Sequence, residues 1–396
     1  MEIRKATEKD KEIIIKLWKY SFNTDSQSFI DHYFSNIYSP ENTLLAMESN
    51  KITTSLQLNP YSFLFMDRII ETKYIVGISS FPASRGSGSV KKLFNNIFQN
   101  LYKEKMPFIF LMGADYGLYT PFGFTNILDK YIISGKTKQL YQKTEKKHSF
   151  REITKDSNKN EIESITLFLK KNLSHNYSYY IVRNKNNFKN NLKEILTENG
   201  FAYYLLKDNE ISGYFFYYFE KDKIVIKEMF YNDTDTLKEI LKFIYNHNTQ
   251  FPDFEIRDDF LKTTNSFLQN PREIESKVLP FLMARIINLK EFLSLCNLEK
   301  LINEELKILI TDKLIEENNL LGKIKDNKMI FHENYDELDY HVSLDISLLL
   351  SLCFGYMNTK EGLLQTHLYS FSDKDKRDIF FNLFYTKKNI FFNEYV

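Results

Sequence analysis

The spacing of apolar residues changes repeatedly along the chain, and each change predicts an element. Residues 2–5 read as a short strand. Thr7-Glu-Lys-Asp10 is a capping-box-like start, and Ile13, Ile14, Leu17, Trp18 and Phe22 follow at helical spacing. Phe29, Tyr33 and Ile37 then recur every fourth residue in a more polar stretch. Strands are predicted over 43–47, 51–58 (extending towards Phe65) and 71–80. The last runs into Arg85-Gly86-Ser87-Gly88, after which Val90, Leu93, Phe94, Ile97, Phe98 and Leu101 make one apolar helical face. Continuous apolar character predicts a strand at 107–112, and 127–135 is another strand candidate, completing a β-rich, helix-interrupted domain over residues 1–150.

Residues 136–160 are polar and lysine-rich and read as a solvated linker or helix face. A helix over 161–173, strands over 201–207 and 211–219 around the turn Asp208-Asn209, a strand over 223–231 and a helix over 236–246 follow. This order repeats the later half of the first domain without a glycine-rich turn. A degenerate second copy over 151–282, holding no cofactor, is the expectation. The third segment, 283–396, should open with one helix from Met283 to Leu295. Strands over 306–312 and 319–325, a buried helix over 342–354 and a late helix over 374–384 complete it. The chain closes Asn389-Ile-Phe-Phe-Asn-Glu-Tyr-Val396. Most termini are polar and frayed, so this aromatic end predicts a docked one.

At 396 residues, the chain has room for two or three cores. A net charge of +1 gives no field for nucleic acid or anionic membrane, and neither is expected as a partner. Two cysteines without CxxC spacing argue against a disulfide framework. The N-terminus carries no export pattern, and no apolar run approaches ~20 residues, so a cytoplasmic protein is expected. The histidines lack metal-ligand spacing, and no metal is expected. His32 is a candidate substrate contact, although a surface histidine is the commoner case. Glu394 reads equally as a charge for a cationic amine or as a solvated tail residue. Cys353 and the Leu348–Leu352 run read as core.

The chemistry concentrates at residues 78–124. A strand ending at Ser80, followed by Arg85-Gly86-Ser87-Gly88-Ser89 opening a helix, offers backbone N–H groups and a helix dipole to a pyrophosphate. Gly-Lys-Ser/Thr is missing, which excludes a Walker A loop. Lys91 stands where a dinucleotide fingerprint needs its third glycine.

The Arg85-x-x-Gly88 turn resembles motif A of the GNAT superfamily of N-acetyltransferases. Together with Phe81-Pro-x-x-Arg-Gly-x-Gly88, Tyr119-x-x-Phe-Gly-Phe124 is similar to the enhanced-intracellular-survival (Eis) family, and residues 283–293 resemble the start of that family's third domain. The resemblance implies an α+β protein with tandem GNAT-like acetyltransferase domains followed by a sterol-carrier-protein-like domain. It also implies an acetyl-CoA-dependent N-acetyltransferase acting on a primary amine of a small cationic substrate, aminoglycoside-like or polyamine- or peptide-like, and assembly as a homo-oligomer, commonly a hexamer. Residue by residue, Ile78 and Ser80 match the backbone positions along the pantetheine arm. Arg85, Gly86, Gly88 and Ser89 match the pyrophosphate turn. Tyr119 matches the general acid, and Val396 the C-terminal residue whose α-carboxylate acts as base. The sequence departs from the family at Val90, where Gly or Ala is usual, and at Val396, where an aromatic is usual. Protein lysine or N-terminal acetylation, and a non-catalytic role binding an apolar ligand in the third domain, are the alternatives.

Overall fold

The computed structural model describes residues 1–396 except 114, 146, 258–260, 297, 299–303, 327, 333–338, 385–387 and 396. The first unit comprises β1 (Glu2–Lys5), α1 (Lys11–Ser21), α2 (Gln27–Asn36), β2 (Thr43–Glu48), β3 (Lys51–Phe65), β4 (Arg68–Ser80), α3 (Ser89–Lys103), β5 (Phe108–Met112), α4 (Tyr116–Tyr119) and β6 (Thr125–Lys136). The second comprises β7 (His148–Glu152), α5 (Lys159–Asn176), β8 (Tyr179–Ile181), α6 (Lys185–Thr197), β9 (Phe201–Lys207), β10 (Glu210–Glu220), β11 (Lys223–Tyr231), α7 (Thr234–Tyr245), β12 (Asp253–Arg257), α8 (Leu261–Asn265) and β13 (Glu275–Ile286). Then follow α9 (Leu289–Cys296), β14 (Leu306–Thr311), β15 (Leu320–Lys325), β16 (Lys328–His332), β17 (Val342–Asp345), α10 (Ile346–Cys353), α11 (Thr359–Leu363), β18 (Tyr369–Phe371), α12 (Lys374–Asn382) and β19 (Ile390–Phe391).

Thr7 and Asp10 make the expected capping box, with the Thr7 N–H donating to the Asp10 carboxylate at 2.8 Å. The β2–β3, β3–β4 and β9–β10 hairpins turn through Ser49-Asn50, Met66-Asp67 and Asp208-Asn209, each with positive φ at both residues. Such turns match the twist of the strands they join.

One continuous sheet carries both units, in the order β1-β2-β3-β4-β5-β13-β6-β12-β11-β10-β9-β7. β13 enters between β5 and β6, with Ala284 opposite Phe110 on one side and Thr125 on the other. β6 then pairs with β12, so the second unit continues the first sheet. The two units repeat one plan: β4 and β5 are parallel across α3, as β11 and β12 are across α7. The third unit is a separate sheet, β16-β15-β14-β17-β18, parallel only between β14 and β17.

Three expectations need correction. Residues 283–286 are the end of β13, and the helix begins only at Leu289. A strand covered on both faces is apolar without alternation, the same pattern as a buried helix. β13 therefore runs through position 282, where the second segment was expected to end. Residues 342–354 divide into β17 and α10, and Asp345 caps the helix by accepting the Ser347 N–H at 2.8 Å. The stretch read as a linker contains β7, which pairs with β9. β8, α6 and β12 were not foreseen.

Candidate active site

The Arg85–Gly88 turn lies on the surface. Gly86 and Gly88 take φ of 78° and 79°, the left-handed region in which a Cβ is strained. A Cβ there would meet nothing within 4 Å, so the turn faces open space. Gly88 caps α3 without a side-chain hydrogen bond, and among the described residues the N–H groups of Gly88, Ser89, Val90 and Lys91 have no backbone acceptor. Donors of this kind suit an anion. Arg85 is exposed, its guanidinium 5.4 Å from the Tyr20 ring. The Ser89 hydroxyl turns inward instead. It lies 2.8 Å from Thr54 Oγ1, which also contacts Ser80 Oγ at 2.9 Å, and this chain fixes the turn to β3 and β4.

β4 pairs with β5 only at Lys73–Ile75 opposite Ile109–Leu111, and β5 ends at Met112. The remaining five residues of β4, about 16 Å of strand, run past the end of β5 to Ser80 and include Ile78. Tyr119 ends α4, whose N-terminus Asp115 caps by accepting the Gly117 N–H at 2.8 Å. Ile78, Val90, Tyr119 and Phe122 all pack on the apolar cluster that includes Phe94, Phe98 and Phe124. One core thus supports the β4 edge, the start of α3 and the tyrosine. Burial, and then the nearby Asp115 carboxylate, raise the Tyr119 phenol above its ordinary pKa. It is a neutral hydrogen-bond donor near pH 7.

The aromatic terminus is docked. β19 pairs in parallel with β8, which pairs in turn with β3. Phe392 packs on Tyr74 and Phe110, with ring centroids 5.0 and 5.7 Å away, and the Tyr74 hydroxyl donates to the Glu394 carbonyl at 3.2 Å. Tyr395 lies 5.1 Å from the Phe281 ring, and Arg257 and Lys227 flank it at 5.1 and 5.3 Å. The tail is therefore led along β4 and β13 towards the end of β5. Val396 lies outside the described residues.

The anchor of this tail had no sequence signal. Arg183 is buried and donates to both Glu228 oxygens at 2.7 and 2.8 Å and to Glu394 Oε1 at 3.0 Å. Tyr214 and Asn393 also donate to Glu228. Burial pushes the Glu228 carboxyl up, but Arg183 and these donors outweigh it and hold its pKa below the usual range. Glu394 is thus a buried tail anchor, unlike either role weighed for it from sequence. His32 is buried too, and its burial lowers its pKa.

In the second copy, the corresponding helix start is already filled. Asp233 accepts the Thr236 N–H at 2.7 Å and pairs with Lys207 Nζ at 3.0 Å. Burial acts to raise the carboxyl pKa, but the Thr236 N–H, Lys207 and the Thr236 hydroxyl hold it at about 2. Among the described residues no group of His, Cys, Asp and Glu side chains is arranged to hold a metal. Among the described residues no helix is long and apolar enough to cross a membrane.

Parallel strands that part beside an open helix start define a GNAT-type acyltransferase fold with a place for an acyl-CoA co-substrate. Residues 2–127 match an acetyltransferase (GNAT) domain family, and residues 180–286 match a second acetyltransferase (GNAT) domain family. No curated protein matches the chain in sequence. Among solved structures, a probable N-acyltransferase from Enterococcus faecalis is similar at TM-score 0.79 and 18% identity, covering 98% of this chain and 97% of that one. A GCN5-related N-acetyltransferase from Anabaena variabilis gives 0.77 and 16%, covering 98% of both chains. Eis1 from Mycobacterium abscessus gives 0.73 and 11% over the full length of each. The chain thus carries two acetyltransferase (GNAT) domains, the mark of an acyl-CoA-dependent N-acyltransferase, in an overall fold similar to that of Eis1.

Proposed function

We propose that the chain transfers acetyl from acetyl-CoA directly to a primary amine of a small cationic acceptor, aminoglycoside-like or polyamine- or peptide-like. The observation that carries this reading is the open turn at the start of α3 and Tyr119 sharing one apolar core with the edge that β4 leaves past the end of β5; the tail packed on Tyr74 and Phe110 adds to it. Arg85, Gly86, Gly88 and Ser89 hold the diphosphate, mainly through main-chain N–H groups at the start of α3. The backbone of β4 around Ile78 and Ser80, past the end of its pairing with β5, lies along the pantetheine arm and polarises the thioester carbonyl.

Tyr119 serves the departing sulfur. A phenol of pKa ~10 facing a thiol of ~8.5 is uphill by about 2 kcal/mol, and burial adds to that, so its main role is hydrogen-bond donation. The α-carboxylate of Val396 receives the proton from the attacking amine. An ordinary α-carboxyl, near pKa ~3.5, is too weak by about 8 kcal/mol to strip an ammonium outright, so it anchors the ammonium and relays its proton. The Arg183–Glu228–Glu394 cluster supports this role by fixing the residues just before the terminus.

The family resemblance supports a sterol-carrier-like third unit and a homo-oligomer, and the two cysteines without a disulfide pattern support a cytoplasmic setting. The decisive experiment is a thiol-release screen with acetyl-CoA across aminoglycosides, polyamines and lysine peptides, with calorimetric binding of acetyl-CoA alongside. Free thiol released by one class names the acceptor. Neither binding nor release would overturn the reading and leave an apolar-ligand carrier.

A further inference from the structure

Arg285 lies in β13 opposite Ile109 and is completely buried. Burying a guanidinium costs several kcal/mol unless its charge and its donors are paired. Here the pairing is partial. Nη2 alone donates to both oxygens of Asp312, at 2.9 Å each. Asp312 belongs to the third unit, just after β14, where the Leu314 N–H and Asn318 Nδ2 hold it at 2.9 and 3.0 Å. Asn318 also donates to the Ile287 carbonyl at 3.0 Å, which ties this loop back to the end of β13.

The rest of the guanidinium faces the first unit. Its carbon lies 4.6 Å from the ring of Phe98, on the helix that begins at the phosphate turn. Among the described residues Nε and Nη1 have no hydrogen-bond partner. A Cβ added to Gly123 would come within 1.8 Å of Nη1. Gly123, at φ 75°, closes the Thr120–Phe122 turn directly after Tyr119, and its N–H donates to the Thr120 carbonyl at 2.9 Å. The glycine of the Tyr119-x-x-Phe-Gly-Phe124 motif is thus required both by its conformation and by the arginine behind it. A cross-link serving only to join two units would pair its whole fork; this one sets an unpaired edge against the tyrosine turn.

We propose that Arg285 is a positioning residue: Asp312 of the third unit holds it behind Gly123, and it fixes the turn that presents Tyr119. The inference rests on the reading of Tyr119 given above.

The test uses the full chain with Arg285→Met/Asp312→Leu, an apolar exchange that leaves no stranded carboxylate and preserves folding. Hydrogen–deuterium exchange followed by mass spectrometry should show lost protection over residues 116–124, with β14 and α10 unchanged. With the amine turned over fastest by the parent protein, kcat should fall about 10- to 100-fold while the KM for acetyl-CoA is held. Arg285→Lys should recover part of both. The same exchange in a Tyr119→Phe background should cost little more than Tyr119→Phe alone. Unchanged protection over 116–124 would overturn the inference, as would an equal kcat loss in both backgrounds. Failure of the tyrosine reading is seen separately, as full turnover by Tyr119→Phe itself.

Discussion

Tyr119 and Arg183 mark the two ways a residue can matter to this site. On the proposed reading Tyr119 meets the chemistry directly, as a neutral phenol, because burial and then Asp115 raise its pKa. The raised value has a definite consequence: the donor is kept as pH rises, and turnover should not decline on the basic side until beyond pH ~10. Tyr119→Phe should lower kcat about 100-fold, abolish that basic decline and leave acetyl-CoA affinity unchanged, as steady-state kinetics across pH would read. Equal loss in kcat and affinity would make Tyr119 a packing residue. Its motif was legible because Tyr119, Phe122, Gly123 and Phe124 lie within one turn of chain. Arg183 and Arg285 were not, because their partners Glu228, Glu394 and Asp312 are distant in sequence, and an isolated arginine carries no sign that it will be buried.

Elements with their own local pattern were the most legible, whereas β13, which depends on remote partners, was read as a helix over its last residues. The β3–β4 pair, α3 and the β9–β10 hairpin each carry their own periodicity and turn chemistry. β13 carries neither over its buried half, since its neighbours β5 and β6 are supplied by another part of the chain. The two helix starts allow a paired experiment. Gly88→Val should weaken acetyl-CoA binding about 10-fold or more by obstructing the donors at α3, with only the ~1–2 kcal/mol of stability that left-handed strain costs. Calorimetry and urea unfolding would separate the two effects. Asp233→Ala removes the cap of α7 and should cost about 1 kcal/mol at pH 7. Asp233 titrates lower in the folded than in the unfolded chain, so its contribution is full above the ordinary carboxyl value of ~3.9 and fades as pH falls towards about 2. Urea unfolding of both proteins at pH 7 and near pH 2 should show the gap closing, with acetyl-CoA affinity the same in both.

Across the whole molecule, the tail is the feature most open to challenge. β19 pairs with β8 between units, and Arg183 grips the residues before the terminus. Extending the chain by a few residues beyond Val396 should therefore reduce turnover at least about tenfold while acetyl-CoA binding is kept, because the carboxylate is carried away from the amine. A fully active extended protein would remove the terminus from the chemistry. The docking of the tail was legible from its aromatic character, but its partners were not, since pairing across units leaves no local trace.

The strand that β13 lends to the first sheet also bears on biosynthesis. As the polypeptide leaves the ribosome, β5 and β6 emerge with their mutual partner still more than a hundred residues from being made. Until residue 286 is clear of the exit tunnel, two hydrogen-bonding edges are open to wrong partners. An N-terminal fragment ending near residue 150 would keep those edges for good, and self-association is its expected fate.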